Sequence, residues 1–180
     1  MREEVTLTRD CKAVQIPYGY DVPLAEGEKV TIVQALGGSY TVMTERGMMV
    51  RVAGEDVEAL GKQASAAPQI DGEVTKEKLE ELVWDQLRTT YDPEIPVNIV
   101  ELGLVYLCDL TPLDDGSYKV KVKMTLTAPG CGMGPVLAED VRGKIMKLPN
   151  VKDADVEVVF DPVWDRNMMS EAAKLQLGMW

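Results

Sequence analysis

Cys131 stands in the segment Thr127-Ala-Pro-Gly-Cys-Gly-Met-Gly134, with glycine at 130, 132 and 134. Residues without a Cβ leave the neighbouring sulfur sterically open and let backbone N–H groups turn into the loop. Pro135 suits the first turn of a helix that begins within about three residues of the cysteine, and a helix N-terminus favours negative charge beside it. A thiolate is both a nucleophile and a ligand for soft metal centres. The loop therefore predicts covalent thiol chemistry or metal ligation, and the residues leave both open.

The other reactive side chains read differently. Cys108 lies in Leu107-Cys-Asp-Leu110 on a predicted strand, in phase with Leu110, and reads as a packing residue. Cys11, within Arg9-Asp-Cys-Lys12, is expected at the surface as a weak ligand or a bystander. Asp92, Glu94, Glu101 and Asp161 suggest paired acids. However, Asp92-Pro-Glu94 is also what a turn requires, an aspartate accepting backbone N–H bonds ahead of a proline. No histidine or lysine partner accompanies these carboxylates, so turn and solvated roles are expected. The spacing Gly130-x-Gly132-x-Gly134 lacks the lysine of a phosphate loop, and the ten methionines form no metal-binding series.

Composition narrows the field. The 180 residues include no histidine, which removes imidazole acid–base chemistry and His-ligated zinc from the chain's own repertoire. A net charge of -11 repels phosphate backbones, so nucleic-acid binding is not expected. The longest uncharged apolar run, Leu102–Cys108, is far short of the ~20 residues that span a bilayer. The N-terminus, MREEVTLTRD, is too charged for a signal peptide, and the odd cysteine count without CxxC makes no disulfide framework. A cytoplasmic protein with no membrane partner is the expectation.

The elements that must position Cys131 follow from periodicity. Residues 1–61 read as a small all-β module with three evident strands, Val30–Gln34, Ser39–Met43 and Met48–Val52, and no catalytic constellation. Residues 62–74, containing Lys62-Gln-Ala-Ser-Ala-Ala-Pro-Gln69, read as a linker. From 75 to 180 the pattern is α-β-β-α-β-α. Thr75 caps a first helix through about Thr89 with a stripe of Leu79, Leu82, Val83 and Leu87. Leu104–Leu110 and Tyr118–Thr125 form a hairpin. A second helix follows Pro135, with Glu139 and Asp140 placed for its dipole, then a strand Val151–Phe160 and a short helix capped by Ser170. The expected fold is α+β, with helices against a small mixed sheet.

Three stretches of this second region carry a resemblance. They are Asp92-Pro-Glu-Ile-Pro-Val-Asn-Ile-Val-Glu-Leu-Gly-Leu-Val105, Thr125-Leu-Thr-Ala-Pro-Gly-Cys131, and Asp161-Pro-Val-Trp164 with the tail Met168–Gly178. In this order they resemble the PaaD/SufT family of iron–sulfur maturation domains over roughly residues 75–180. The N-terminal third, with Arg9–Pro17, Gln34–Val42 and Asp56–Gly61, is similar to the extension found on SufT-type members. The resemblance implies a non-enzymatic accessory factor that assembles iron–sulfur clusters or delivers them to apoproteins. Its partners would be the assembly machinery and client apoproteins. It carries the family's cluster-contacting and metal-binding cysteine onto Cys131 alone, and its acidic motif onto Asp92 and Glu94 without a defined role.

Ligand counting limits that implication. A complete [2Fe–2S] or [4Fe–4S] cluster wants four thiolate-type ligands, and one chain offers a single well-placed cysteine. The expectation is a cluster shared between two chains of a homodimer, or one held transiently during transfer. Two other readings stay open from the residues: a thiol-dependent enzyme with Cys131 as nucleophile, and a metal-free adaptor of the assembly machinery.

Overall fold

The computed structural model describes residues 2–179. The chain forms two compact units, Met1–Ala66 and Ala67–Trp180. No helix among the described residues is long and apolar enough to cross a membrane.

The first unit is a single antiparallel sheet. Its strands are β1 (Glu3–Thr6), β2 (Cys11–Gln15), β3 (Asp21–Leu24), β4 (Lys29–Leu36), β5 (Ser39–Thr44) and β6 (Met49–Val52), in the order β1-β4-β5-β6-β2-β3. The three strands expected from their β-formers and flanking glycine turns are β4, β5 and β6. The other three, β1, β2 and β3, are four or five residues long and hold only short apolar runs between charged or proline residues. β3 also carries Pro23, which an edge strand tolerates because it needs no inward N–H there. Cys11 is a correction to the sequence reading. It lies in the core with Leu7, Ala13, Leu24, Val42 and Val52, and burial raises its thiol pKa. A strand residue flanked by charges is still buried when its pleat faces inward.

The second unit has the expected α-β-β-α-β-α order. Helix α1 (Lys76–Arg88) starts at Thr75, whose hydroxyl accepts from the Lys78 N–H at 3.3 Å. Strands β7 (Val105–Pro112), β8 (Tyr118–Met124) and β9 (Val151–Val158) form a mixed sheet. β7 runs antiparallel to β8, and β8 runs parallel to β9. A parallel pair needs a crossover, and helix α2 (Gly134–Met146) supplies it between β8 and β9. One face of β8 sends Val120, Val122 and Met124 into a core closed by Leu79, Val83 and Leu87 of α1 and Leu137, Val141 and Ile145 of α2. The other face sets Lys119, Lys121 and Lys123 of β8 opposite Asp153, Asp155 and Glu157 of β9. Of these partly exposed opposite charges Lys119 and Asp153 meet at 3.3 Å, and such pairs help fix register more than they add stability.

Helix α3 (Glu171–Gln176) closes the unit, with the Ser170 hydroxyl accepting from the Ala173 N–H at 3.1 Å. Glu139 and Asp140 do not serve the α2 dipole. The helix begins at Gly134, so both lie beyond its first turn, and Asp140 instead pairs with Lys144 at 3.2 Å. The dipole effect fades within one turn, which is why a five-residue offset is too far.

Candidate functional site

Strand β8 ends at Met124, and the chain leaves the sheet through buried Thr125 and Leu126. Gly130 takes φ 77, a backbone region an L side chain rarely enters, and this turns the loop back toward α2. The Cys131 N–H donates to Ala128 O at 3.4 Å, and the Gly134 N–H donates to Cys131 O at 3.2 Å. The chain thus enters α2 through the cysteine's own carbonyl. A Cβ on Gly134 would lie 2.9 Å from Leu126 Cδ1, so glycine there lets the helix start sit against the end of the sheet. Cys131 is half-buried, two residues before the helix-capping Met133, and packs at the margin of the core. The open, glycine-bounded setting read from the sequence is the setting observed.

A second loop is tied to this one. Asp92 is buried, and its Oδ1 accepts from the Glu94 and Ile95 N–H groups at 2.9 Å each. Its Oδ2 accepts from the Thr127 hydroxyl, 3.5 Å away. The turn role expected for Asp92 is therefore what it performs, and Thr127 links it to the loop that carries Cys131. Asn98 repeats the device, its Oδ1 accepting from the Val100 and Glu101 N–H groups at 3.1 and 2.9 Å. Glu94 is exposed at the tip of the turn.

Glu101 and Asp161 serve elsewhere. The Glu101 carboxylate accepts from the Ser170 hydroxyl, and its carbonyl accepts from the Ser170 N–H at 2.8 Å, so it anchors the tail. Asp161 lines an open groove of about 690 Å³ with Val105, Tyr106, Leu107 and Met168. Sequence reasoning gave no role to Thr127 or Gly103. Both lie inside the recognised stretches, but a hydroxyl's partner and a glycine's neighbour across the fold leave no trace in local periodicity.

Cys108 behaves as a packing residue. It faces Val122 across the β7–β8 ladder, packs on the core, and burial, reinforced by Glu80 and Asp109, pushes its thiol up to about 12. At neutral pH its thiolate fraction is then about one part in 10⁵. Brief iodoacetamide treatment near pH 7 is expected to label Cys131 well ahead of Cys108 and of buried Cys11. Peptide mapping by mass spectrometry reads the order, and equal or reversed labelling of Cys131 and Cys108 contradicts it.

Burial also raises the Asp92 carboxyl above its ordinary value, and the Ile95 and Glu94 amides and the Thr127 hydroxyl offset this only in part. An acid raised on folding contributes stability that is complete below its unfolded value and is lost as pH rises through its folded value. Ionised Asp92 is therefore a cost at pH 7. Asp92→Asn keeps an acceptor for both amides and removes the charge, so it is expected to equal or exceed wild-type stability at pH 7. The advantage should vanish below about pH 4, where the native carboxyl is protonated too. Urea unfolding at both pH values tests this, and a wild type more stable than the variant by over ~0.5 kcal/mol at pH 7 contradicts it.

No group of three or more cysteine, aspartate or glutamate side chains among the described residues is placed to hold a metal ion.

Residues 80–158 match the family described as iron-sulfur cluster assembly protein. A Porphyromonas gingivalis protein named Fe-S protein maturation auxiliary factor is 48% identical over 99 residues, covering 55% of this chain and 90% of that one. The Bacillus subtilis auxiliary factor YitW is 40% identical over 104 residues, 58% of this chain and 98% of its own length. The Staphylococcus aureus auxiliary factor SufT is 41% identical over 88 residues, 49% of this chain and 96% of its own. That last relative is nearly spanned by those 88 residues, which leaves no room in it for a six-stranded extension.

Proposed function

This chain belongs to the iron–sulfur cluster assembly protein family, and on that premise we propose that it is an accessory factor in assembling iron–sulfur clusters or passing them to apoproteins. Cys131 is the thiolate that contacts the cluster in transit. The observation that carries this assignment is the setting of Cys131, half-buried on a glycine-bounded turn ahead of α2. Cys11 lies inside a core, and the Cys108 thiol is pushed out of the titrating range by burial.

The cluster is cargo. Iron–sulfur clusters are held by about four thiolate-type ligands, and one chain supplies one. The remainder come from a second copy, from the donor or acceptor protein, or from small thiols. A site so under-coordinated releases its cluster readily, which suits a factor that hands it on. A linker at residues 62–74 belongs to the same reading, leaving residues 75–180 as the part that carries the family match and Cys131.

The test is transfer. Cluster-loaded protein is mixed anaerobically with an apo-ferredoxin and the acceptor's visible absorbance is followed. Wild type is expected to convert the acceptor faster than free iron and sulfide at equal concentration. Rates no better than free iron and sulfide contradict the reading.

A further inference from the structure

The Cys131 loop is joined to the rest of the unit by a side-chain contact that secondary structure does not require. Asp92 sits 35 residues upstream, buried, with a carboxylate spread over two loops. Oδ1 closes its own turn through the Glu94 and Ile95 amides. That job needs one oxygen. A buried carboxylate is costly unless its oxygens find donors, and the Thr127 hydroxyl approaches Oδ2 at 3.5 Å, a long contact.

Thr127 is the residue at which the chain, having left β8, opens into the Ala128–Met133 turn. The Ala128 carbonyl receives the Cys131 N–H, so fixing Thr127 fixes the residue before the one that holds the cysteine's backbone. Gly130, with φ 77, and Gly132 flank Cys131 without side chains to pack, so beside its backbone bonds and buried Met133 the segment has few side chains of its own to hold the cysteine's position.

We propose that Asp92 and Thr127 form a clasp that positions the Cys131 loop, with Asp92 as a positioning residue and its Oδ2–Thr127 hydroxyl contact as the link. This deepens the proposed function, on which its cluster arm rests. It assigns the acidic residue of the Asp92-Pro-Glu94 motif a part in presenting the thiolate, with no acid–base step and no contact to the cluster.

The experiment uses the full chain with Thr127→Val, which keeps the shape and removes the hydroxyl, and Thr127→Ser, which keeps the hydroxyl. The first readout is the iodoacetamide rate at Cys131 by mass spectrometry, and it does not depend on any cluster. A hydrogen bond's net worth corresponds to about a two- to tenfold change in a loop-opening equilibrium. Thr127→Val is therefore expected to alkylate at least about twofold faster than wild type, and Thr127→Ser to stay within that factor. The second readout is iron retained per chain after anaerobic loading and desalting, which should fall in Thr127→Val and recover in Thr127→Ser.

Alkylation of Thr127→Val at or below the wild-type rate overturns the clasp. So does an equal change in both variants, which would reflect volume alone. Should Thr127→Val unfold at the assay temperature, Thr127→Ala repeats the deletion and is judged by the same criteria. Iron retention that is insensitive to Cys131→Ser would defeat the proposed function while leaving the alkylation result to decide the clasp.

Discussion

Gly103→Ala is expected to lower the stability of the second unit by about 3 kcal/mol or more. Two independent costs meet there. Gly103 has φ 73, where an L side chain pays roughly 1–2 kcal/mol for its Cβ alone. The added Cβ would also lie 2.2 Å from the Met168 carbonyl oxygen and 2.8 Å from its carbon. That neighbour is backbone and cannot rotate away. The segment pushed aside is closely fastened on both sides of Met168. Trp164 Nε1–H donates to Leu102 O at 2.7 Å, and the Ser170 N–H donates to Glu101 O at 2.8 Å. Behind these bonds Met169 and Ala173 are buried in the core, so a displaced tail exposes apolar surface as well. Urea unfolding gives the loss, and near-ultraviolet CD from Trp164 reports the detached tail. A variant within ~1 kcal/mol of wild type contradicts this account of the turn.

Cys131→Ser and Cys108→Ser are expected to have opposite effects. Serine at 131 changes little volume on a half-buried loop, so stability should move by no more than about 0.5 kcal/mol. Cluster transfer should nevertheless fall to the level of free iron and sulfide, because a hydroxyl does not replace a thiolate on a soft iron–sulfur centre. Serine at 108 puts a hydroxyl against Val122 on the core side of β7 and should cost about 1–3 kcal/mol. Its transfer rate per folded molecule should match wild type. Urea melts on one axis and transfer on the other separate the two cysteines. Transfer by Cys131→Ser at the wild-type rate removes Cys131 from the mechanism.

Much of the second unit was legible because its signals are local. Thr75 and Ser170 cap the helices they were read to cap, and Leu79, Val83 and Leu87 form the buried stripe that helical spacing demands. The lysines of β8 alternate with Val120, Val122 and Met124 as a sheet with one wet face requires. The first unit was harder. β1, β2 and β3 are short and carry charged residues, and the pairing of β1 with β4 and of β2 with β6 joins residues far apart in sequence. Cys11 was misplaced for that reason, since its burial follows from a pairing and not from its charged neighbours. At the candidate site, the glycines and Pro135 announced an open loop ahead of a helix. The Asp92–Thr127 contact and the closeness of Gly103 to Met168 are tertiary facts, and periodicity carries no information about them.

The most direct measurement of the central claim is iron and acid-labile sulfide per chain after anaerobic reconstitution and desalting, made on wild type and Cys131→Ser side by side. Wild type is expected to retain both elements in equal proportion with the broad visible absorbance of a thiolate-bound cluster, and Cys131→Ser to retain neither while melting as wild type does. Equal iron and sulfide in the two proteins would contradict the assignment of Cys131 as the residue that holds the cluster.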